Sequence, residues 1–304
     1  MIQCVQEIAK TADHLTSYIR TANISLPMGQ RKMTPEEQNG YKAIYKTIFK
    51  ACRQTATGLG YDIQEGTLAD APKRREGTPL RRAVEPRRFR LPSQQLRGYL
   101  VNQESNKIMY DYWAKKVRTM IKNPKKRALL APEEAPYAFA TKPSSLEQDY
   151  YECLDQDNVD IVGLKANLIR EFIDRGVVCE DWKEHEFDVV VLATGYDSLT
   201  GSITSMGLRG KDGIDREERW KEGVSTYMDI CVCGCPNMFM VYEPQASTAF
   251  TNGPVFIEVQ IDFIADMIEK LINEALLPLT LSRRRGKMVE GYPRRKRNDL
   301  VSTY

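Results

Sequence analysis

The chain has 304 residues, 42% of them hydrophobic and 28% charged, enough apolar material for one or two globular domains. The first twenty residues lack a continuous apolar core, and no stretch reaches the about 18 apolar residues needed to span a bilayer, so neither a secretory leader nor a membrane anchor is expected and the cytoplasm is the expected compartment. Seven cysteines, an odd number without a leader, argue for reduced thiols rather than a disulfide framework.

The net charge of +3 conceals a strong asymmetry. Residues 73–97 and 283–297 each carry +7, which leaves −11 over the remaining chain. The body is therefore acidic and interrupted by two basic inserts.

In chain order, Ile2, Val5, Ile8, Ala9 and Ala12 recur at helical spacing, and His14 to Ile19 then reads as a short strand. A helix followed by a strand resembles the later pieces of a dinucleotide-binding βαβ unit. In such a unit the residue at the end of the second strand meets the ribose, and an Arg there suits a 2′-phosphate. Arg20 and Thr21 occupy that place. The alternative from these residues alone is an ordinary helix and strand with an exposed Arg.

Residues 33–56 read as one helix, with Tyr41, Ile44, Tyr45, Ile48 and Phe49 on its apolar positions. Ser105 to Met120 reads as another. Between them Pro72, Pro79, Pro86 and Pro92 disfavour regular structure in the first basic insert. Residues 158–164, 168–174 and 177–180 read as successive short strands. Phe187 to Ala193 is a near-continuous apolar, β-branched run, the pattern of a strand buried on both faces. It stops at Thr194-Gly195, where glycine permits a sharp turn close to a ligand. Met238 to Tyr242 reads as a further buried strand. Asn252-Gly253-Pro254 then supplies a cap and first-turn proline for a helix ending near Ile272. Strands alternating with helices give an α/β class.

Cys231, Cys233 and Cys235 would share one face of a strand, but three sulfurs lack a fourth ligand and neither histidine has a zinc-like spacing, so no metal is expected. Clustered arginines in the inserts could neutralise nucleic-acid phosphates, but a solvated face needs no such partner, and nucleic acid is not the expected ligand.

VVVLATGYDSLTGS (189–202), CPNMFMVYEPQASTAFTNGP (235–254) and TKPSSLEQDYYE (141–152) together resemble successive stretches of the FAD- and NADPH-dependent Baeyer-Villiger monooxygenases, particularly the branch of fungal secondary metabolism. The resemblance runs over roughly 1–65 and 98–272. It implies parts of two Rossmann-like dinucleotide-binding domains with a helical insertion, and with the N-terminal FAD-binding portion missing. On that reading residues 1–25 and 140–185 belong to the NADP-binding domain. Residues 26–139 form the helical insertion, of which 66–97 is basic and irregular. Residues 186–272 are the C-terminal part of the FAD-binding domain, and 273–304 a divergent basic tail.

The resemblance also implies roles. Arg20, Thr21 and Lys142 match positions that hold the NADP phosphate, and a fixed cation suits a dianionic group. Thr194, Gly195, Gln245 and Asn252 match positions near FAD. The implied partners are a ketone and O2, and the implied outcome is oxygen insertion beside a carbonyl to give an ester or lactone.

The departures are as informative as the matches. The family places an Arg after the lysine, where its charge meets negative charge developed during oxygen transfer; this chain has Pro143. Losing preorganised stabilisation of that kind costs about 3 to 4 kcal/mol. Glu243 stands where the family has Gly in a Tyr-Gly-Pro turn, and neither a G-x-G-x-x-G flavin fingerprint nor the family's F-x-G-x-x-x-H signature occurs anywhere. These departures predict weak or absent flavin binding and no turnover by the chain alone. The match also fails abruptly at 66–97 and after Leu281, the pattern that translation in another frame or across an intron would give. Alternatives left open are another two-domain flavoprotein monooxygenase or reductase, or a basic non-catalytic binding protein.

Overall fold

The computed structural model describes residues 2–55, 57–59, 102–142, 144–198, 200–246 and 251–273. Both basic inserts and Pro143 lie outside the described residues. The chain divides into two compact units: one holds the described residues up to Lys32 and those from Asn102 to Thr194, and the other Met33 to Leu59 and Gly195 onward.

The first unit begins with α1 (Ile2–Ile8) and β1 (Leu15–Ile19). β1 pairs in parallel with β4 (Val159–Gly163), in register from Leu15↔Val159 to Ile19↔Gly163. A second parallel pair joins β2 (Leu26–Pro27) to β3 (Leu146–Glu147). Parallel neighbours require a long crossover, and here it contains α4 (Gln103–Met120) and α5 (Pro124–Leu130). Asn102 starts α4 by accepting the Ser105 N–H, and Asn123 starts α5 with Pro124 behind it. The buried stripe of α4, Met109, Trp113 and Val117 with Tyr110 and Ala114, follows helical spacing.

This stripe forms one core with Ile2, Val5, Ile24, Leu130, Tyr150, Tyr151, Leu154 and Val159. The short α6 (Tyr150–Leu154) lacks a side-chain cap of its own. Gln6 of α1 substitutes: its Oε1 accepts the N–H groups of Gln148 and Asp149 at 2.9 and 2.8 Å. Beyond β4, β5 (Ile169–Ile173), β6 (Gly176–Cys179) and β7 (Glu184–Glu186) form an antiparallel meander. Gly176 is required there, since a Cβ would lie 1.8 Å from the His185 carbonyl oxygen.

The second unit contains α2 (Pro35–Ala43), α3 (Tyr45–Arg53), α7 (Gly201–Thr204), α8 (Arg216–Arg219), the β8 (Thr226–Tyr227) and β9 (Cys231–Val232) hairpin, and α9 (Gly253–Asn273). Its buried apolar cluster is small: Ile203, Trp220, Val232 and Met240. Arg216 is fully buried there, with Nη1 donating to the Cys233 carbonyl at 3.2 Å and Nη2 3.9 Å from Asp212. α9 is 21 residues long and rich in Ile, Val and Phe, yet among its residues only Gln260 is fully buried.

Three sequence expectations need correction. The helix expected over 33–56 is two helices, because Ile44 leaves helical geometry at φ −114°, ψ 11°. Residues 238–242 form no strand; Phe239 makes a single bridge to Cys231. The Phe187–Ala193 run is neither a strand nor buried: Val189, Val190, Val191 and Leu192 are 76, 46, 57 and 71% exposed. Its composition suits the middle of a sheet, and no described strand lies beside it. No described helix is long and apolar enough to cross a membrane.

Candidate functional site

In a parallel βα layer, ligands gather at the carboxyl ends of the strands. Arg20 and Thr21 directly follow Ile19, the last residue of β1, and the Leu164 N–H extends the β1–β4 ladder by donating to the Ile19 carbonyl at 2.9 Å. The Arg20 side chain is exposed and Thr21 half-buried.

What fixes this end is the next segment, Asn23–Ser25. The Tyr137 hydroxyl accepts the Ile24 N–H at 2.8 Å and donates to Asn23 Oδ1 at 3.3 Å. The Tyr151 hydroxyl accepts the Ser25 N–H and donates to the Asn23 carbonyl, both at 3.2 Å. Trp113 Nε1 donates to the Ser25 carbonyl at 2.8 Å. Three buried aromatic rings thus spend their polar tips on one stretch of backbone, which satisfies groups that would otherwise be stranded away from water.

The same scaffold carries Lys142. Its Nζ lies 4.6 Å from the centroid of the Tyr137 ring, a cation–π contact, and the side chain is exposed. Asn23 Nδ2 donates to Ser145 Oγ at 3.3 Å, the Leu26 N–H to the Ser145 carbonyl at 2.9 Å, and β2–β3 pairing follows. The segments following Arg20 and flanking Lys142 are therefore stitched together. No ion pair among the described residues uses either cation. Both remain available to an anion.

Nearby, Glu147 of β3 is buried and accepts the Tyr150 N–H at 3.2 Å. Burial pushes its carboxyl above the usual carboxylate range, partly opposed by that hydrogen bond. Burial likewise raises the Tyr18 hydroxyl to about 12, in a cluster where Tyr18 meets His185 and Phe187 edge-on.

The second group of predicted residues is arranged differently. Thr194 and Gly195 are exposed; Gly195 has φ +95° with open space around it, and Tyr196 is 98% exposed. Gln245, at φ +75°, has its amide engaged within the chain: Oε1 accepts from the Thr226 N–H and hydroxyl at 3.0 and 2.6 Å, and Nε2 donates to the Val224 carbonyl at 2.9 Å. Asn252 precedes α9, its N–H donating to the Thr57 carbonyl at 2.8 Å and its carbonyl accepting from Phe256. Glu243 is half-buried in a turn beside Tyr242, whose φ is +60°.

Sequence reasoning missed Tyr137, Tyr151, Trp113 and Asn23. The signal was partial: a buried Tyr or Trp predicts a hydrogen bond for its tip, but not that all three tips converge beyond one strand.

No protein-family model matches the chain. The FAD-binding monooxygenase acrE of Aspergillus aculeatus is 36% identical over 283 residues, 93% of this chain and 48% of that protein. Cyclohexanone 1,2-monooxygenase of an Acinetobacter species is 31% identical over 278 residues, 90% of this chain and 49% of its own length. The chain belongs to the Baeyer-Villiger monooxygenase family. It spans about half the length of the curated relatives it matches. Among solved structures, OTEMO in complex with FAD and NADP aligns with a TM-score of 0.86 at 27% identity, covering 94% of this chain and 53% of that one. An open form of cyclohexanone monooxygenase gives 0.84 at 26% identity, covering 94% and 55%.

Proposed function

We propose that this chain is the pyridine-nucleotide-handling portion of a flavin-dependent Baeyer-Villiger monooxygenase, binding the 2′-phosphate of NADPH through Arg20, Thr21 and Lys142. The supporting observation is that Arg20 follows the carboxyl end of a parallel strand and Lys142 lies over the Tyr137 ring, that Tyr137 also fixes the Asn23–Ile24 backbone just after Arg20, and that neither cation takes part in an ion pair among the described residues. A phosphate dianion at that place would meet a guanidinium able to bind it in bidentate fashion, a hydroxyl donor from Thr21 and a second point charge.

The flavin side does not fit as well. Thr194 is exposed, Gly195 has open space around it, and the Gln245 amide is used within the chain, so among the described residues of the second unit Gly195 and Gln245 do not enclose a ligand. In a complete enzyme FAD would accept hydride from NADPH and carry the oxygen chemistry that turns a ketone into an ester or lactone. With Pro143 where the family has its arginine, the chain alone is expected to bind the nucleotide without turnover.

The test is calorimetric titration of the purified chain with 2′,5′-ADP and with 5′-AMP. The expected result is a clear preference for 2′,5′-ADP that Arg20→Ala reduces by roughly ten- to a hundredfold, as for loss of a charge-assisted hydrogen bond. Equal binding of the two nucleotides contradicts the proposal.

A further inference from the structure

The turn at 180–183, between β6 and β7, breaks a local rule. Trp182 sits in it at φ +60°, the left-handed region that glycine adopts freely and a bulky residue rarely does. The turn is closed by the Trp182 N–H donating to the Cys179 carbonyl at 2.9 Å and the Cys179 N–H donating to the Lys183 carbonyl at 3.2 Å. The indole gains little burial in return: it is 66% exposed, whereas Trp113 and Trp220 are buried. One of its faces meets Arg170 of β5, whose guanidinium lies 3.9 Å from the ring centroid.

This turn lies at the same end of the parallel layer as Arg20. Beyond the Leu164–Ile19 hydrogen bond the chain reverses at once, with the Ala166 and Asn167 N–H groups both donating to the Gly163 carbonyl at 3.1 Å. Asn167 Oδ1 then accepts the Asp181 N–H at 3.1 Å, and the Leu168 carbonyl accepts the Glu180 N–H at 2.9 Å. A run of hydrogen bonds therefore links the backbone beside Arg20 to the residues next to Trp182, at the carboxyl ends of β1 and β4, where ligands of such layers gather.

We infer that the open face of the Trp182 indole, backed by Arg170, stacks the adenine ring of the nucleotide whose 2′-phosphate meets Arg20 and Lys142. The inference rests on that phosphate reading. Adenine and the 2′-phosphate share one ribose, so a platform for the base belongs at the same end of the layer as Arg20. A purine offers a flat π-face to an aromatic side chain, and a guanidinium on the other face of the indole adds a cation–π contact. Backbone strain of the kind seen at Trp182 concentrates at ligand-binding sites.

Calorimetric titration of the full chain with 2′,5′-ADP and with 5′-AMP, repeated for Trp182→Gly, Trp182→Phe and Arg20→Ala, tests the platform. Trp182→Gly should weaken both nucleotides by the same factor, about five- to a hundredfold as for loss of one base–aromatic stack. Arg20→Ala should weaken 2′,5′-ADP alone. Trp182→Phe keeps an aromatic face and should retain most of the affinity. Because glycine suits the left-handed turn, the melting temperature of Trp182→Gly should be no lower than that of the unaltered chain. Saturating 2′,5′-ADP should also quench indole fluorescence, and Trp182→Phe should remove that quench, since the other two indoles are buried. Affinity unchanged in Trp182→Gly, a weakening confined to 2′,5′-ADP, a quench that survives Trp182→Phe, or a lowered melting temperature would each overturn the platform. Equal binding of the two nucleotides that Trp182→Gly still weakens would instead remove the phosphate site and keep the platform, and binding of neither would overturn both.

Discussion

Trp113 and Trp220 are both buried, yet their surroundings differ. Trp113 sits among the packed side chains of α1, α4, α6, β1 and β4, and its indole N–H closes the hydrogen bonding of the Asn23–Ser25 turn. Trp220 packs with three other fully buried apolar side chains, while the long apolar helix of its unit stays half in water. The first unit has an aromatic core whose polar tips fix the backbone just after Arg20 and whose Tyr137 ring lies under Lys142; the second, among its described residues, has a small buried cluster and a long apolar helix that stays largely exposed. Burial of an aliphatic or aromatic side chain stabilises by about 1.5 to 3 kcal/mol, so the two units should differ widely in resistance to unfolding. Hydrogen exchange should follow the same division, slow around α4 and fast along α9.

The largest expected effect sharpens this contrast. Trp113→Ala should cost about 3 to 5 kcal/mol in urea unfolding of the first unit, since it opens a cavity and frees the Ser25 carbonyl, and should abolish any preference for 2′,5′-ADP. A loss below about 1 kcal/mol would mean that the core is not close-packed around Trp113.

Next comes Tyr137→Phe. The ring beneath Lys142 survives, but the Ile24 N–H loses its acceptor and Asn23 Oδ1 its donor, at a cost of about 1 to 3 kcal/mol. If the scaffold aims the cations, 2′,5′-ADP binding should weaken several-fold beyond the change in stability, as read by titration well below the melting temperature. Unchanged affinity would reduce Tyr137 to a structural role.

The smallest effect concerns pH. Glu147 has its carboxyl pKa raised by burial, so the native state favours the protonated form. The penalty is absent below the ordinary carboxylate range and grows as pH rises through it, because the unfolded chain ionises first. Glu147→Gln keeps an acceptor for the Tyr150 N–H and should raise the melting temperature at pH 8 but not at pH 3. A gain of equal size at both values would exclude titration as the cause.

Much of the first unit was legible because its signals are local. The helical spacing within Ser105–Met120 and the β-branched strands each act within a few residues. Arg20 was reached from the helix–strand pattern and Lys142 through resemblance, while the hydrogen bonding around them was not legible, because Tyr137 and Tyr151 reach back more than a hundred residues to Asn23–Ser25. The misreadings cluster where local preference depends on absent neighbours: Val189–Leu192 has strand composition but no adjacent strand among the described residues. Met238–Tyr242 fails similarly, pairing only at Phe239. A hydrophobic run predicts that burial is favourable; it does not supply the surface that buries it.

The central claim, that the nucleotide-phosphate scaffold is intact in this chain while a flavin site is not, is tested most directly by titrating the purified full chain with NADPH and FAD in parallel calorimetric experiments. Saturable one-to-one binding of NADPH with no measurable binding of FAD is the predicted result. Stoichiometric FAD binding, or no binding of NADPH, would contradict it.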